Sequence, residues 1–193
     1  SFYLDAVVDL DKAIKMAQKR VWKALKVESS FDLSTEEAEE ILARHAKSKV
    51  MLVILHIDLV GSTRMSSDLP ADRLAAIVQA FTQEMSVTVT AYGGYVLKYV
   101  GDAIMAFFPA TDDAYLPCVN AVNCARSMVK IVRKGINPIL NQYDYPELGV
   151  KIGMDVGENV IVQYGHDKSS PIDILGYCMN VAAKITSLTS PNT

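Results

Sequence analysis

The sequence predicts an α+β fold, in which an antiparallel-rich sheet carries helices packed on one face and is preceded by a helical N-terminal segment. Half of the 193 residues are hydrophobic, which is enough for one ordinary core. Helix-type and strand-type periodicities alternate along the chain, and short glycine-containing turns join neighbouring strand segments. A sheet built from such hairpins is antiparallel and leaves one side for a helical layer.

The beginning of the chain is predicted to be helical. Residues 6–27 repeat apolar side chains near helical spacing, and residues 33–49 begin with a hydroxyl N-cap before a glutamate-rich first turn. We therefore divide the chain into a helical preface, residues 1–48, and a main domain, residues 49–193.

The main domain is predicted to open with a strand, a helix and a hairpin. Residues 50–58 are a continuous apolar and β-branched run, which is typical of a strand covered on both faces. A helical stripe follows within residues 69–94 and stops at two consecutive glycines. Residues 95–109 then predict two strands of alternating bulky residues that turn at Gly101 and Asp102.

Helix and strand patterns continue to the end of the chain. Residues 111–135 predict an amphipathic helix that ends at its final glycine. Residues 148–165 predict a strand that turns at Gly157 into a partner strand. A short strand in residues 171–176 then leads into a helix in residues 177–189.

Charge and composition narrow the class of protein. The net charge of −3, with acids and bases interspersed, predicts neither a basic stripe for nucleic acid nor a polybasic membrane anchor. Three cysteines without CxxC spacing favour a reducing, cytoplasmic compartment and no zinc framework. The longest apolar run is too short to span a bilayer. Because the chain begins without Met, we expect a longer protein whose other regions supply sensing, targeting or membrane tethering.

Two carboxylates stand out by position. Asp58 ends the first buried strand and Asp102 lies at the tip of an apolar hairpin, although an N-cap and a turn residue are ordinary explanations for them. If the strand lies beside the hairpin, both carboxylates meet at the sheet end and repel each other unless a cation joins them. A site with only a few protein oxygen ligands, in which phosphates complete the coordination shell, suits Mg²⁺ or Mn²⁺. Backbone N–H groups of Gly61, Ser62 and Thr63, which follow Asp58, could hold those phosphates.

Three segments together resemble one enzyme family. "ILHIDLVGST", "KYVGDAIMAFF" and "DILGYCMNVAAK" are similar, in order and separation, to signatures of the class III nucleotidyl cyclase catalytic domain, which makes cyclic AMP or cyclic GMP. The resemblance covers roughly residues 50 to 190. It implies a ferredoxin-like, palm-type sheet and a homodimer whose active sites lie at the subunit interface, each built from both chains.

The same resemblance implies how metal and triphosphate are held. Asp58 and Asp102 would bind two divalent metal ions, Mg²⁺ or Mn²⁺, with the Leu59 carbonyl as a further ligand. The backbone of residues 61–63 would cradle the triphosphate.

The resemblance also implies how the nucleotide is recognised. Lys98 would read the N1 edge of adenine, Asp173 would accept from the adenine amino group, and Asn180 would orient the ribose. Lys184 would offset charge on the α-phosphate, and its spacing of four residues from Asn180 puts both on one helical face. The ordinary alternatives are an outer, solvated strand face for Lys98 and a solvated surface lysine at position 184.

These residues predict an adenylyl cyclase that converts ATP to 3′,5′-cyclic AMP and pyrophosphate. Two departures from the family pattern support an alternative, a weak or inactive cyclase-like domain that binds nucleotide and regulates a partner. The family has arginine at the position of Lys184, and its domain continues beyond Thr193 with further strands and another triphosphate-binding lysine. A diguanylate cyclase or polymerase-like palm is a third reading, but the hairpin lacks a GGDEF-type sequence. The helical preface resembles coupling helices, so we expect a fused or separate regulatory domain.

Overall fold

Five antiparallel strands form one sheet in the structure, a computed structural model that describes residues 8–27, 31, 33–167 and 169–193. The strands are β1 Lys49–Val60, β2 Tyr95–Val100, β3 Ala103–Pro109, β4 Gly149–Gln163 and β5 Ile172–Leu175. The helices are α1 Leu10–Lys26, α2 Glu36–Ala43, α3 Ser62–Asp68, α4 Ala71–Ala91, α5 Tyr115–Ile131, α6 Asn137–Asn141 and α7 Tyr177–Leu188, with a π-helical turn at Val132–Ile136 between α5 and α6.

The strand β1 lies at the centre of the sheet. The strand order is β2-β3-β1-β4-β5, so that β1 pairs with the hairpin strand β3 on one side and with β4 on the other. Asp58 lies opposite Ala103 on β3 and opposite Lys151 on β4. The α+β fold class and the position of the hairpin beside the first strand are therefore confirmed.

The two faces of the sheet bury different clusters. Val53, Leu55 and Ile57 of β1 face the larger core, which α1, α4 and α5 share. Leu52 and Ile54, on the other face, join a smaller core with α2 and α7. The main helical layer thus lies on one face, as predicted, while α2 and α7 cover part of the opposite face, which we call the α7 face.

The sheet is strongly curled towards the α7 face. In a flat sheet, four strand spacings of about 4.8 Å would separate the edge strands β2 and β5 by about 19 Å. Instead, Lys98 Nζ on β2 lies 2.6 Å from Asp173 Oδ2 on β5. This curl brings residues that are distant in strand order to one site.

Two glycines at which the sequence predicts the end of a strand or a helix instead allow close packing. The predicted turn at Gly157 is wrong, because β4 continues through it to Gln163. A Cβ at Gly157 would lie 2.6 Å from Cys178 Sγ of α7, so glycine permits close helix packing there. The predicted helix end at Gly135 is also wrong, since this residue lies within the π-helical turn, where a Cβ would lie 3.2 Å from the Ala17 side chain of α1.

The helix α1 packs into the main core rather than standing apart from it. Its buried residues are Ala17, Val21, Ala24 and Leu25. Arg20 donates two hydrogen bonds to the buried carboxylate of Glu84 on α4, at 2.7 and 2.8 Å. The division of the chain at residue 48 stays a prediction. Over the parts of the chain that the structure describes, no helix combines the length and apolar character needed to cross a membrane.

Candidate active site

Asp58 and Asp102 form a pair of neighbouring carboxylates at one end of the sheet. Asp58 is half-buried on β1, and Asp102 lies in the β2–β3 turn, which Gly101 enables with a φ of +62°. The Ser62 hydroxyl donates a hydrogen bond to Asp102 Oδ2. Asp58 is not an N-cap, because Gly61 occupies that position of α3.

The environment of Asp58 disfavours its charged form. Partial burial raises the pKa of the Asp58 carboxyl, and the negative charge of Asp102 raises it further. His56 and Lys151 oppose this increase less strongly. The carboxylate pair is thus only partly neutralised by the protein itself, which is the condition under which an added cation is stabilising.

The donor set at the pair fits a hard divalent cation. Within the described ranges of the chain, no three His, Cys, Asp or Glu side chains come together as a possible metal cage. Mg²⁺ commonly uses one or two carboxylates and completes its shell with substrate phosphates and water, whereas structural zinc needs about four protein ligands. Two oxygen ligands beside the Leu59 backbone therefore suit Mg²⁺ or Mn²⁺ and not a protein-only zinc site.

The segment after Asp58 offers free backbone donors. Gly61 has a φ of +113°, and α3 starts at Ser62. The N–H groups of the first helical turn, which include Ser62 and Thr63, have no intrahelical acceptors. Because the Ser62 hydroxyl is engaged with Asp102, the predicted binding of phosphate here would use the backbone of the segment.

Lys98 and Asp173 form an ion pair on the curled sheet. Their side chains are 39% and 25% exposed, and Asp173 Oδ1 accepts a further hydrogen bond from the Ile174 N–H at 2.8 Å. A β-bulge between Val96 and Lys98 shifts the alternation and places Lys98 opposite Met105, whose side chain belongs to the α7 face. Lys98 therefore lies on the α7 face and is partly solvated there, and its reading of the base stays a prediction.

Asn180 and Lys184 are exposed on one side of α7. The helix is held close to β4, because a Cβ at Gly153 would overlap the Ala182 carbonyl oxygen. His56 Nδ1 lies 3.1 Å from Thr186 Oγ1, which also joins β1 to α7. Burial lowers the pKa of His56, although the charge of Asp58 opposes this.

The predicted residues are arranged as separate groups within one chain. Asp58 and Asp102 form one group, Lys98 and Asp173 a second, and the exposed face of α7 a third. Across residues 8–27, 31, 33–167 and 169–193, no hydrogen bond or ion pair links the first group to the other two.

Sequence reasoning missed Lys151, which lies directly opposite Asp58 and on the same face of the sheet. The available signal was the alternation in β4, where Lys151, Gly153 and Gly157 occupy one face while larger apolar residues occupy the other. That signal becomes usable only when the β1–β4 register is known.

Comparisons with known proteins identify the family of the chain. Residues 43–193 match the family described as the adenylate and guanylate cyclase catalytic domain. A cytidylate cyclase of Escherichia coli is 31% identical over 147 residues, which cover 73% of this chain and 33% of that protein. An adenylate cyclase of Anabaena cylindrica is 29% identical over 147 residues, which cover 75% of this chain and 28% of that protein. The chain thus spans about a third of these relatives.

Solved structures show the same architecture. The adenylyl cyclase CyaB of P. aeruginosa superposes with a TM-score of 0.67 at 26% identity and covers 75% of each chain. The guanylyl cyclase Cya2 superposes with a TM-score of 0.68 at 25% identity, over 76% of this chain and 74% of its own.

Proposed function

This chain belongs to the adenylate and guanylate cyclase catalytic-domain family, and we propose that it is a class III adenylyl cyclase that converts ATP to 3′,5′-cyclic AMP and pyrophosphate. The observation that carries the choice of ATP is the Lys98–Asp173 pair, with its 2.6 Å contact. Lys98 supplies hydrogen-bond donors and Asp173 supplies acceptors. Adenine presents the complementary edge, with an acceptor at N1 beside a donating amino group.

The polarity of this pair also fits cytosine. Cytosine places an amino donor beside a ring-nitrogen acceptor, whereas guanine and uracil present a carbonyl acceptor beside an N–H donor. A similar protein of Escherichia coli is named a cytidylate cyclase. Turnover of CTP is therefore the second candidate activity, and GTP and UTP are disfavoured by unpaired groups at the base edge.

The chain's own residues position the nucleotide for ring closure. Asn180 holds the ribose so that its 3′-oxygen faces the α-phosphorus, and pyrophosphate leaves from the opposite side. Lys184 offsets the charge that grows on the α-phosphate, and Lys151, opposite Asp58, offers a cation to the phosphates that enter beside it.

Asp58, Asp102 and the Leu59 carbonyl hold the divalent metal ions in this proposal. Bound Mg²⁺ or Mn²⁺ supplies charge neutralisation for the triphosphate and polarises the ribose hydroxyl. The raised pKa of Asp58 supports the assignment. It shows that two negative charges repel each other at this position, and a bound cation would relieve that repulsion.

The working enzyme in this proposal is a homodimer with composite sites. The carboxylate pair of one subunit would act with Lys98, Asp173 and Asn180 of the other. Two apolar side chains of α7 support this arrangement, because Tyr177 is 79% and Leu188 is 88% exposed in the single chain. Apolar groups of this size beside functional residues are typical of an interaction surface.

A catalytically weak regulatory domain that binds nucleotide is the alternative. It is favoured by Lys184, because an ammonium group cannot make the planar, two-point contact that a guanidinium makes with phosphate. Product analysis with ATP, CTP, GTP and UTP, each with Mn²⁺ and with Mg²⁺, distinguishes these functions. Cyclic AMP as the main product supports the proposal, and cyclic CMP supports the second candidate. Nucleotide binding without any cyclic product contradicts both.

Reversing the polarity of the base-reading pair should change the preferred nucleotide. Lys98→Glu combined with Asp173→Cys supplies an acceptor and a donor where guanine needs them. Because each unpaired group at a buried edge costs roughly 1–3 kcal/mol, we expect the ratio of kcat/KM for GTP over ATP to rise at least about tenfold. Lys49→Gln, which makes the same net charge change of about −1 at an exposed site, is the control. An unchanged ratio would show that the pair does not read the base.

Restoring the family's arginine should raise turnover. Lys184→Arg provides two parallel donors for the α-phosphate, and we expect kcat to increase by about tenfold, the lower end of what one added charge-assisted hydrogen bond contributes. Initial rates of cyclic product formation test this, with Lys49→Arg as the matched exposed control. An equal or lower kcat would favour a solvated lysine at this position.

A further inference from the structure

The solvent face of α1 carries a continuous row of lysines. The row consists of Lys12, Lys15, Lys19, Lys23 and Lys26, all of which are exposed. Their spacing of three or four residues puts them on one side of the helix, over a length of about 21 Å. The helix α1 also contains one arginine and one aspartate, which gives it a formal charge of +5. Since the net charge of the whole chain is −3, the remaining residues together carry −8.

The orientation of this row is fixed by the fold. The opposite side of α1 is buried in the main core, and Gln18 Nε2 donates to the Lys134 carbonyl oxygen at 2.7 Å. The Arg20–Glu84 ion pair adds a second anchor, because removing either partner would leave a charge without its counterion at a largely buried site. The lysines therefore point into solvent.

Apolar side chains lie among the lysines. Met16 is 48% exposed, Trp22 is 41% exposed and Val27 follows at the end of the helix, also exposed. Lys26 Nζ lies 4.5 Å from the centre of the Trp22 ring. Tryptophan beside lysine is typical of helices that lie in the boundary between water and lipid.

Neighbouring groups extend the basic surface. Arg133 and Lys134 are also exposed, in the π-helical turn that packs against α1. On the negative side, Asp11 is exposed on α1, whereas the Asp9 carboxylate accepts from the Lys12 N–H as the helix cap. The surface therefore stays strongly positive.

We propose that this basic α1 face docks on an anionic lipid surface, with the lysines at the headgroups and Trp22 and Met16 entering the interface. An acidic protein or nucleic acid would satisfy the charges, but a row of lysines about 21 Å long with Trp22 and Met16 beside it fits a layer of anionic headgroups above an apolar interior. The net charge of the whole chain predicts no polybasic membrane anchor. It conceals this face because acidic residues elsewhere outnumber the basic residues of α1.

Docking through α1 would leave the candidate active site open to water. The helix packs on the main helical layer, which covers one face of the sheet. Asp58 lies on the other face, two residues after His56, whose ring contacts Thr186 of α7. The proposal is therefore independent of which nucleotide the site uses.

Vesicle binding by the 193-residue chain tests the proposal. We expect it to co-sediment with phosphatidylcholine vesicles that contain phosphatidylserine, and not with phosphatidylcholine alone. Each lysine near such a surface contributes about fivefold to the partition coefficient, so Lys15→Gln, Lys19→Gln and Lys23→Gln together should lower it by about a hundredfold. Trp22, the only tryptophan of the chain, should shift its fluorescence to the blue on binding.

A charge-matched control separates this face from net charge. Arg44→Gln, Lys47→Gln and Lys49→Gln remove three exposed charges near the start of β1 and should leave binding and the Trp22 shift unchanged. Equal loss in both triple variants, or sedimentation without a Trp22 shift, would overturn the docking face. Binding of the wild-type chain to polyglutamate or DNA but not to the vesicles would overturn the lipid surface as the partner.

Discussion

Removing either carboxylate of the pair, by Asp58→Ala or Asp102→Ala, should lower the turnover of the preferred nucleotide by about 10²- to 10³-fold. The reason is that each substitution removes a ligand for the cations that neutralise the triphosphate, and loss of one such electrostatic contact typically has an effect of this size. Initial rates with saturating Mn²⁺ provide the measurement. Asp68→Ala removes an exposed carboxylate at the end of α3 and should retain full activity. Full activity in Asp58→Ala or Asp102→Ala would contradict the two-metal assignment.

The loss should not come from unfolding, and the pKa of Asp58 gives a test of this. Because the folded-state pKa of Asp58 is raised by burial and by Asp102, the folded chain binds this proton more tightly than the unfolded chain. The carboxyl therefore contributes most to stability below its unfolded pKa, and this contribution is lost as the pH rises through the folded pKa. Without divalent cations, Asp58→Asn should be at least as stable as the wild type at pH 8. A lower free energy of unfolding in the variant would contradict this electrostatic account.

The proximity of Asp58 and Asp102 was predictable because it depends on elements that follow one another along the chain. The buried run of β1 and the hairpin are consecutive in the sheet-forming part of the chain, and neighbours in sequence usually pair. The relation of Lys98 to Asp173 was predictable only from the family resemblance. It requires the curl of the sheet and the bulge at Val96, neither of which leaves a periodic signal in the sequence.

The wrong predictions at Gly157 and Gly135 have one physical cause. Glycine ends helices and makes turns because of its backbone freedom, but it also permits close approach because it lacks a side chain. Gly157 and Gly135 serve the second purpose, towards Cys178 and Ala17 respectively. Neither has a positive φ angle, so nothing in their own conformation required glycine. Only the tertiary contacts distinguish the two uses.

The α1 face illustrates a related limit of sequence reasoning. Its apolar spacing predicts a helix, and the same spacing places the lysines opposite the buried side. A net charge averaged over the chain cannot reveal such a face, because α1 is basic while the rest of the chain is acidic.

Mixing two separately inactive variants should restore activity if the sites are composite. In a homodimer, Asp102→Ala damages the metal half of a site and Asn180→Ala damages the ribose half. A mixed dimer then collects both lesions in one site and leaves the other site intact. With random pairing half of the dimers are mixed, so about a quarter of wild-type activity should return, as two-fold symmetry requires. Rates are measured after subunit exchange, which labelled chains can verify independently.

A second mixture provides the matched control. Asp58→Ala and Asp102→Ala both damage the metal half, so each site of their mixed dimer contains one lesion and the mixture should stay inactive. Recovery in the first mixture but not in the second would locate Asn180 and the carboxylate pair on different subunits of each site. If both mixtures stay inactive while exchange is complete, the carboxylates and Asn180 act within one chain. The separation of these groups in the single subunit would then have to close by a conformational change, and the composite-site proposal would be wrong.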